Sequence, residues 1–400
     1  MPGESENNSL PAITIQYNWN EVLKHPNKKI WISTKYLNKP SFHDSITTTV
    51  NESDGKLKVN VSEELNFISI SNLSIVLKDV KSGLKIAFVA PNKVHDIHAK
   101  AILSVSMTEN ALAVSSCEQD RLVIWDTRTN EEVLDLVGHG GPAYKCRFFP
   151  SGTVVISAGA DGSCRIWCAE TGINPVTLKG HTMSVADICM IGRGRNVITV
   201  SKDGTAKLWD VGQALCIADV IEGQGAINCC TITTTTEEVL VENPREFNTG
   251  NKLLVIGCEN GCVVGVHVGK RQELFRRQLE AACNASIVMG DVIIVGCSDG
   301  KIVYLSPEDG SVVMEIHESM NPVLSMAVLS KDLYAVGRQD GNVIIISMQK
   351  AHSHVRVQLT GSDCDGIRDI AFNGKWVLTG SRDSSVRKYD FNQICVHFKR

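Results

Sequence analysis

The sequence predicts an all-β protein in which a small β-rich N-terminal domain precedes a seven-bladed β-propeller. Three observations predict this fold: tryptophans recur at a fixed interval, short apolar runs are paired around tight turns, and these turns recur seven times. We assign residues 1–84 to the N-terminal domain and residues 85–400 to the propeller.

A repeat of 42 residues is visible in three consecutive segments. Trp125, Trp167 and Trp209 close these segments, and His139 and His181 each follow a glycine at the same interval. An Asp-Gly pair also precedes each of the last two tryptophans by six residues. Gly-His, Asp-Gly and Trp at this period are the signature of a WD repeat, which builds a propeller blade of four strands.

The later repeats lose the tryptophan but keep the turn. In VIIVGCSDGKIVYL and WVLTGSRDSSVRKY, two apolar runs flank a short polar turn, which indicates a hairpin. Seven such turns lie at positions 119, 161, 203, 260, 299, 340 and 383. One interval, of 57 residues, exceeds the others and indicates an insertion at about residues 234–250. Its polar composition and proline predict a surface loop.

Two blades contain a complete set of four polar residues, and we expect hydrogen bonds among these residues to hold the strands of each blade together. In each set the Asp holds the turn and orients the His, while a hydroxyl and the indole N–H complete the hydrogen bonds. The predicted sets are His139, Ser157, Asp161 and Trp167, and His181, Thr199, Asp203 and Trp209. Blade one has Gln119 at the Asp position, blade seven keeps Thr379, Asp383 and Tyr389 but lacks a His, and blades four to six are expected to rely on apolar packing.

Residues before about Leu84 do not follow the period. IWIST, GKLKVNVS, NFISIS and LSIVLKDV are typical of short strands, and NWNEVLKH is typical of one or two helical turns. The strand that closes the ring is left open at this point. LKIAFVAP, KVHDI or the C-terminal ICVHF each qualifies as the outer strand of blade seven.

Composition excludes several classes of protein. The formal net charge of -4 argues against a dedicated nucleic-acid binder, which usually carries a basic face. The first residues lack a basic and an apolar region, and no apolar run approaches the ~18 residues of a membrane span, so we expect no secretion and no membrane contact. We expect a cytoplasmic protein with reduced cysteines, and nuclear presence stays open.

We expect no enzymatic activity, no cofactor and no metal. A His-Asp pair that recurs at the repeat period has a structural role in each blade, and no nucleophile signature accompanies it. Cys164 and Cys168, and Cys258 and Cys262, lack the usual spacing of metal-binding cysteines. The basic turn Gly192-Arg193-Gly194-Arg195 precedes no helix, so we interpret it as a solvated turn rather than a phosphate site.

A four-residue motif supports an alternative function. Trp125-Asp126-Thr127-Arg128 resembles the motif by which some WD-repeat proteins dock on cullin-based ubiquitin ligases as substrate receptors. The motif occurs once, and an arginine in a surface turn is common, so this reading ranks second.

Longer segments resemble one particular family. YKCRFFPSGTVVISAGAD, GRGRNVITVSKDGTAKLWD and QLTGSDCDGIRDIAF, together with the N-terminal NWNEVLKH and KKIWIST, are similar to the proteasomal ATPase-associated factors. These are WD-repeat chaperones of the proteasome regulatory-particle base. The resemblance implies binding to the C-terminal domain of one proteasomal ATPase, which prevents premature docking on the core particle. We expect the chain to be a monomer until it binds. It implies no nucleotide use by this chain, and no P-loop is present.

The narrow upper face of the propeller is the predicted partner surface. It should be built by the turns between second and third strands and by the starts of the first strands. From the repeat register we place there Glu118, Lys202, Glu259, Gln339 and Arg382 from the turns, and Tyr144, Asn228, Asp365 and Arg368 from the first strands.

Overall fold

The computed structural model describes residues 10–50, 57–348 and 355–398 and is almost entirely β-structure. The N-terminal part begins with a four-stranded antiparallel sheet in the order of the chain. Its elements are β1 (Ala12–Ile15), α1 (Trp19–Val22), β2 (Lys29–Lys35), β3 (Phe42–Val50) and β4 (Leu57–Asn60). Gly55 and Lys56 of the predicted strand GKLKVNVS lie outside the described residues.

A second group of strands follows and covers the first sheet. It consists of β5 (Leu65–Ile70), β6 (Ser74–Asp79) and β7 (Lys85–Val89), and the short β8 (Lys93–His95) comes next. Alternation in β2 directs Ile30 and Ile32 inward, where they share one apolar cluster with Ile75, Leu77 and Phe88. The two sheets therefore bury a common core.

Seven blades of four antiparallel strands form the rest of the chain, which confirms the predicted propeller. Blades one to three contain β9 (Ile102–Met107), β10 (Leu112–Cys117), β11 (Leu122–Asp126), β12 (Glu132–Asp135), β13 (Ala143–Phe148), β14 (Val154–Gly159), β15 (Ser163–Cys168), β16 (Val176–Lys179), β17 (Val185–Ile191), β18 (Asn196–Ser201), β19 (Ala206–Asp210) and β20 (Leu215–Ile221). Blades four and five contain β21 (Ile227–Thr234), β22 (Lys252–Cys258), β23 (Cys262–His267), β24 (Gln272–Gln278), β25 (Cys283–Met289), β26 (Val292–Cys297), β27 (Ile302–Leu305) and β28 (Val312–Ile316). Blades six and seven contain β29 (Val323–Val328), β30 (Leu333–Arg338), β31 (Val343–Ser347), β32 (Val355–Leu359), β33 (Ile367–Phe372), β34 (Trp376–Ser381) and β35 (Val386–Asp390), and α2 (Phe391–Cys395) follows.

The first strand of each blade lines the centre of the ring. Each first strand contacts the first strands of the two neighbouring blades, and β33 contacts β9, so the ring is closed. The second and third strands are almost fully buried, because blades pack on both of their faces. The apolar core therefore runs between the blades around the whole ring.

Closure uses the second of the three candidates that the sequence left open. β8, from the segment KVHDI, pairs antiparallel with β35 and completes blade seven. The C-terminal ICVHF does not pair there, because the Asp390 side chain accepts a hydrogen bond from the Asn392 N–H and caps α2. The ring is thus closed by a segment that precedes blade one.

The segment LKIAFVAP has a different role. Its strand β7 pairs parallel with β32, so β5, β6 and β7 extend blade six to seven strands. The predicted domain division after residue 84 therefore falls between β6 and β7, which are hydrogen-bonded neighbours. Helix α1 adds a further link, because the indole N–H of the buried Trp19 donates to the Thr360 hydroxyl at 3.0 Å.

The insertion forms a loop between β21 and β22 on the lower face. Its Phe247 ring stacks on the Arg195 guanidinium at 3.3 Å, and its Glu246 carboxylate pairs with Arg271 at 2.7 Å. The insertion therefore contacts the turn at residues 192–195 through Arg195, while Gly192, Arg193 and Arg195 remain exposed, as expected of a solvated turn.

Within the described residues, no helix combines the length and apolar character that crossing a membrane requires. All 14 cysteines are free, and Cys364 is the one that is exposed. The described residues also hold no group of three His, Cys, Asp or Glu side chains arranged for a metal.

Candidate functional site

Blade three contains a closed hydrogen-bonded set built on His181. Its ring nitrogens lie 2.9 Å from an Asp203 carboxylate oxygen and 2.8 Å from the Thr199 hydroxyl. The Trp209 indole N–H donates to the same hydroxyl at 2.8 Å. The structure thus brings together all four residues that the sequence grouped in this blade.

Blade two repeats the arrangement. His139 lies 3.2 Å from Asp161 and 2.6 Å from the Ser157 hydroxyl, which also accepts from the Trp167 indole at 2.8 Å. Burial raises the pKa of Asp161, but hydrogen bonds from Gly140 and Ser163 outweigh it and hold the pKa at about 2. Burial also lowers the pKa of His139. Both imidazole nitrogens are already engaged, so the set is suited to holding strands together.

Blade one has an incomplete set. His98 lies 2.7 Å from the Ser115 hydroxyl, which accepts from the Trp125 indole at 2.9 Å. With Gln119 at the position of the aspartate, the other ring nitrogen of His98 has no hydrogen-bond partner among the described residues. Burial lowers the pKa of His98 to about 4.

Acidification is expected to destabilise the protein through His98. A pKa below the ordinary 6.5 means that the unfolded chain takes up the proton first, so stability is full above pH 6.5 and falls towards pH 4. Replacement by glutamine, which does not titrate, should reduce the loss between pH 7 and 4.5 by on the order of 2 kcal/mol. Urea denaturation at both pH values measures this. The exposed His43→Gln is the control, and equal pH dependence of wild type and His98→Gln would contradict the expectation.

Blade seven replaces the missing histidine with an arginine. The Arg387 guanidinium pairs with the Asp383 carboxylate at 2.5 Å and donates to the Ser381 hydroxyl at 2.7 Å. The Tyr389 hydroxyl donates to the Thr360 carbonyl at 2.6 Å, and Thr379 is buried. The aspartate therefore keeps its place in the turn with a different partner.

Blades five and six share an apolar core, as predicted, but they also bury polar interactions that the sequence did not indicate. Glu318 forms a buried ion pair with Arg356 at 2.5 Å, and the Tyr304 and Tyr334 hydroxyls bond to each other between the two blades. Arg338 is buried without a hydrogen-bond partner among the described residues, and burial lowers its pKa. In these blades, which lack the tryptophan, the buried ion pair and the two tyrosine hydroxyls therefore supplement the apolar packing.

One backbone hydrogen bond recurs in all seven blades and defines the upper face. The first residue after each second strand donates its N–H, at 2.9–3.0 Å, to the carbonyl of the residue immediately before the first strand of the same blade. The donors are Glu118, Ala160, Lys202, Glu259, Ser298, Gln339 and Arg382. The five predicted turn residues therefore lie around one end of the ring.

Three of the predicted first-strand residues occupy one equivalent position. Tyr144, Asn228 and Arg368 are each the second residue of a first strand, where a β-bulge shifts the register against the second strand. A bulge leaves one residue unpaired and redirects its side chain. Asp365 is different, because it lies in the connection before β33 rather than in a strand.

The predicted face contains both occupied and free side chains. Lys202 bonds to Asn228 and lies 3.4 Å from the Glu259 carboxylate, so these three residues form a cluster across blades three and four. Tyr144 and Arg368 are exposed, and no hydrogen bond of their side chains is present among the described residues. Glu118, Gln339 and Arg382 are likewise exposed, and their side chains form no hydrogen bond among the described residues.

Sequence reasoning missed a polar cluster in the central channel. Asp369 on β33 pairs with Arg147 on β13 at 2.7 Å, and the Ser104 hydroxyl on β9 donates to it at 2.6 Å. Burial raises the pKa of Asp369, but the charges of Arg147 and Lys145 outweigh it and hold the pKa well below the usual range. The sequence did contain one signal for this cluster. Asp369 is the third residue of the first strand in blade seven, and Asp187 occupies the same position in blade three.

Arg128, the residue of the alternative function, lies on an exposed turn. Its guanidinium pairs with Asp126 of the same motif at 2.5 Å. The motif therefore forms a local ion pair at the end of β11, and it is tied to blade seven by Lys93, which donates to the Arg128 carbonyl at 2.6 Å, and by Lys388, which donates to Thr127.

Known proteins match both the repeats and the whole chain. The WD domain, G-beta repeat family matches residues 130–168, 173–210 and 353–390. Each matched stretch runs from the fourth strand of one blade through the third strand of the next, so the last blade needs β8 for its fourth strand.

Proteasomal ATPase-associated factor 1 of Homo sapiens is 31% identical over 392 residues, which cover 96% of this chain and 99% of the human protein. The Gallus gallus protein of the same name is 30% identical over 393 residues and covers the same shares. The 26S proteasome regulatory subunit RPN14 of Saccharomyces cerevisiae is 29% identical over 220 residues, or 50% of this chain and 51% of the yeast protein. The chain therefore belongs to the proteasomal ATPase-associated factor family of WD-repeat proteins.

Proposed function

We propose that this chain is a non-enzymatic chaperone for assembly of the 26S proteasome regulatory-particle base. It would bind the C-terminal domain of a proteasomal ATPase subunit and block premature docking on the core particle. The observation that carries the proposal is the identity to Proteasomal ATPase-associated factor 1 across 96% of the chain. That relative's name associates it with proteasomal ATPases, and the whole-length match includes the N-terminal part as well as the blades.

The upper face supports binding as the mode of action. Its turns are fixed by the same backbone hydrogen bond in every blade, so the side chains are presented on a rigid frame. A rigid frame lowers the entropy lost on association. Tyr144 and Arg368 belong to the residue types that most often anchor interfaces. On this proposal the ATPase domain contacts these two residues.

Competition is the physical mechanism of the block. A bound chaperone delays docking only if its site on the ATPase and the site of the core particle exclude each other. The chaperone must then leave as assembly proceeds, so its affinity has to be lower than that of the completed contact. No catalytic step is needed, and the His-Asp pairs of blades two and three are fully used in holding strands.

The first experiment is a pull-down with the isolated C-terminal domain of each proteasomal ATPase and, in parallel, a cullin-ligase adaptor. We expect selective capture of one ATPase domain. The double variant Tyr144→Ala, Arg368→Ala should weaken this binding by about tenfold or more, because both side chains are exposed anchors.

A matched double variant on the lower face is the control. Ile173 and Arg193 are also exposed, and Ile173→Ala, Arg193→Ala should bind as the wild type does. If the upper-face variant folds normally and binds as tightly as wild type, the upper face is not the site. Capture of the adaptor alone, with loss in Arg128→Ala, would replace the chaperone proposal by the substrate-receptor function. On the chaperone proposal the chain acts in the cytoplasm and is a monomer until it binds.

A further inference from the structure

A cleft of about 250 Å³ lies between the N-terminal sheet and the upper edge of blades six and seven. One wall comes from β1 and β2, and the other comes from the connections that lead into β29 and β33 and from the turn after β30. It is separate from the central channel and borders the predicted partner face near Gln339.

The N-terminal wall exposes aromatic surface. Trp31 is 43% exposed and Tyr17 is 38% exposed, and both line the cleft. Met320 on the opposite wall is 54% exposed. Large apolar side chains that stay exposed and converge on one concave surface mark an interaction site more often than isolated ones do.

The propeller wall supplies carboxylates. Asp340 and Asp363 line the cleft, and Asp363 is exposed and forms no ion pair among the described residues. Glu318 also lines it, but Arg356 balances its charge. Lys35 lies on the opposite wall, and the buried Arg338 does not line the cleft. The open charge on the propeller wall is therefore negative.

The neighbouring Cys364 thiol is consistent with this sign. Burial is the largest cause of its raised pKa, and the negative charges of Asp363, Asp340 and Asp365 raise the pKa further. A cation that enters beside this wall meets carboxylates on one side and aromatic faces on the other. Both attract a positive charge, the aromatic faces through their quadrupole.

The open edge of β1 gives a reason to expect a peptide rather than a small cation. β1 is an outer strand of its sheet, and Ala12, Thr14 and Ile15 line the cleft. The outward N–H and C=O groups of an edge strand can pair with the main chain of an extended segment. Such a segment would place a side chain between the two walls.

We infer that this cleft binds an extended segment of a partner protein and holds a lysine or arginine side chain of it between Trp31 and the carboxylates of Asp340 and Asp363. This inference does not rest on the proposed function, because the partner need not be an ATPase and the upper-face anchors are not part of the cleft. It assigns a binding role to the contact between the N-terminal part and the propeller.

Fluorescence polarisation with labelled short peptides tests the inference on the full chain. The probes share a Ser, Thr and Val sequence and carry a central Arg, Lys, Gln or Glu. We expect the Arg and Lys peptides to bind at least about tenfold more tightly than the Gln and Glu peptides, and to weaken as salt is raised. Equal binding of all four peptides, or no binding of the basic ones, would overturn the inference.

Two variants locate the site. Trp31→Ala and Asp363→Asn should each weaken binding of the Arg peptide by about fivefold or more, since each removes one of the two attractions. Phe42 is a similarly exposed aromatic residue and Glu63 an exposed carboxylate, and neither lines the cleft, so Phe42→Ala and Glu63→Gln should not change binding. If the controls weaken binding as much as the cleft variants, the peptide binds elsewhere and the inference is wrong. The ATPase pull-down with the upper-face variant is unaffected by either result.

Discussion

Replacing Asp369 with alanine is expected to lower the free energy of unfolding by about 3–4 kcal/mol. Asp369 is buried and joins blade seven to Arg147 of blade two and to the Ser104 hydroxyl of blade one. Its removal leaves the Arg147 charge and the Ser104 hydroxyl without their partner in the channel. Because Arg147 is partly exposed, water relieves some of the cost, so the estimate lies at the lower part of the range for broken buried pairs. Urea denaturation followed by circular dichroism measures the loss.

Two further variants separate the lost pair from a general effect of alanine. Asp291 is an exposed carboxylate, and Asp291→Ala should be close to neutral. Asp369→Ala combined with Arg147→Met should be less destabilised than Asp369→Ala alone, because no unpaired charge remains. A double variant that is no more stable than the single one would show that the ion pair is not the source of the effect.

Replacing Trp209 with alanine is expected to cost about 3–5 kcal/mol. Its ring is fully buried and packs against Ile156, Ile188 and Val197, and its indole N–H donates to Thr199 at 2.8 Å. The change removes a large apolar surface and leaves a cavity between blades two and three. It also leaves the Thr199 hydroxyl with fewer partners. The midpoint of thermal or urea unfolding measures the effect.

Trp31 provides the matched control, since it is a tryptophan on the exposed face of the N-terminal sheet. Trp31→Ala should change the free energy of unfolding by less than about 1 kcal/mol, because little apolar surface is lost from the core. If Trp31→Ala and Trp209→Ala proved equally destabilising, burial within the repeat set would not explain the role of Trp209.

The upper face shows how far sequence alone reaches. The five turn residues follow directly from the repeat, because a hairpin of two short strands must place its turn at one end of the blade. The bulge at the second position of each first strand was not visible, yet it aligns Tyr144, Asn228 and Arg368. Bulges depend on how two strands pair, and the residue pattern of one strand carries little of that information.

The two polar networks differ for a similar reason. The His181 set lies within one blade, where partners are 18 to 22 residues apart and the 42-residue repeat displays them twice. Asp369 and Arg147 are separated by 222 residues and belong to different blades. A pair at that separation does not recur at the 42-residue period, so the sequence does not reveal it. The two residues come together only because ring closure brings blade seven close to blade two.

The sequence by itself determined the blade number, the position of the insertion and the residues of the regular polar sets. These features depend on local turns and on a fixed repeat spacing, and both can be recognised from the order of the residues alone. The tertiary structure decided which strand closes the ring, how β7 joins blade six and where the aromatic cleft lies. β7, β8 and the C-terminal segment were all apolar enough to serve as an outer strand, so local propensity could not choose among them. The choice was made by the capping of α2 at Asp390, the pairing of β7 with β32 and the core shared by the two N-terminal sheets.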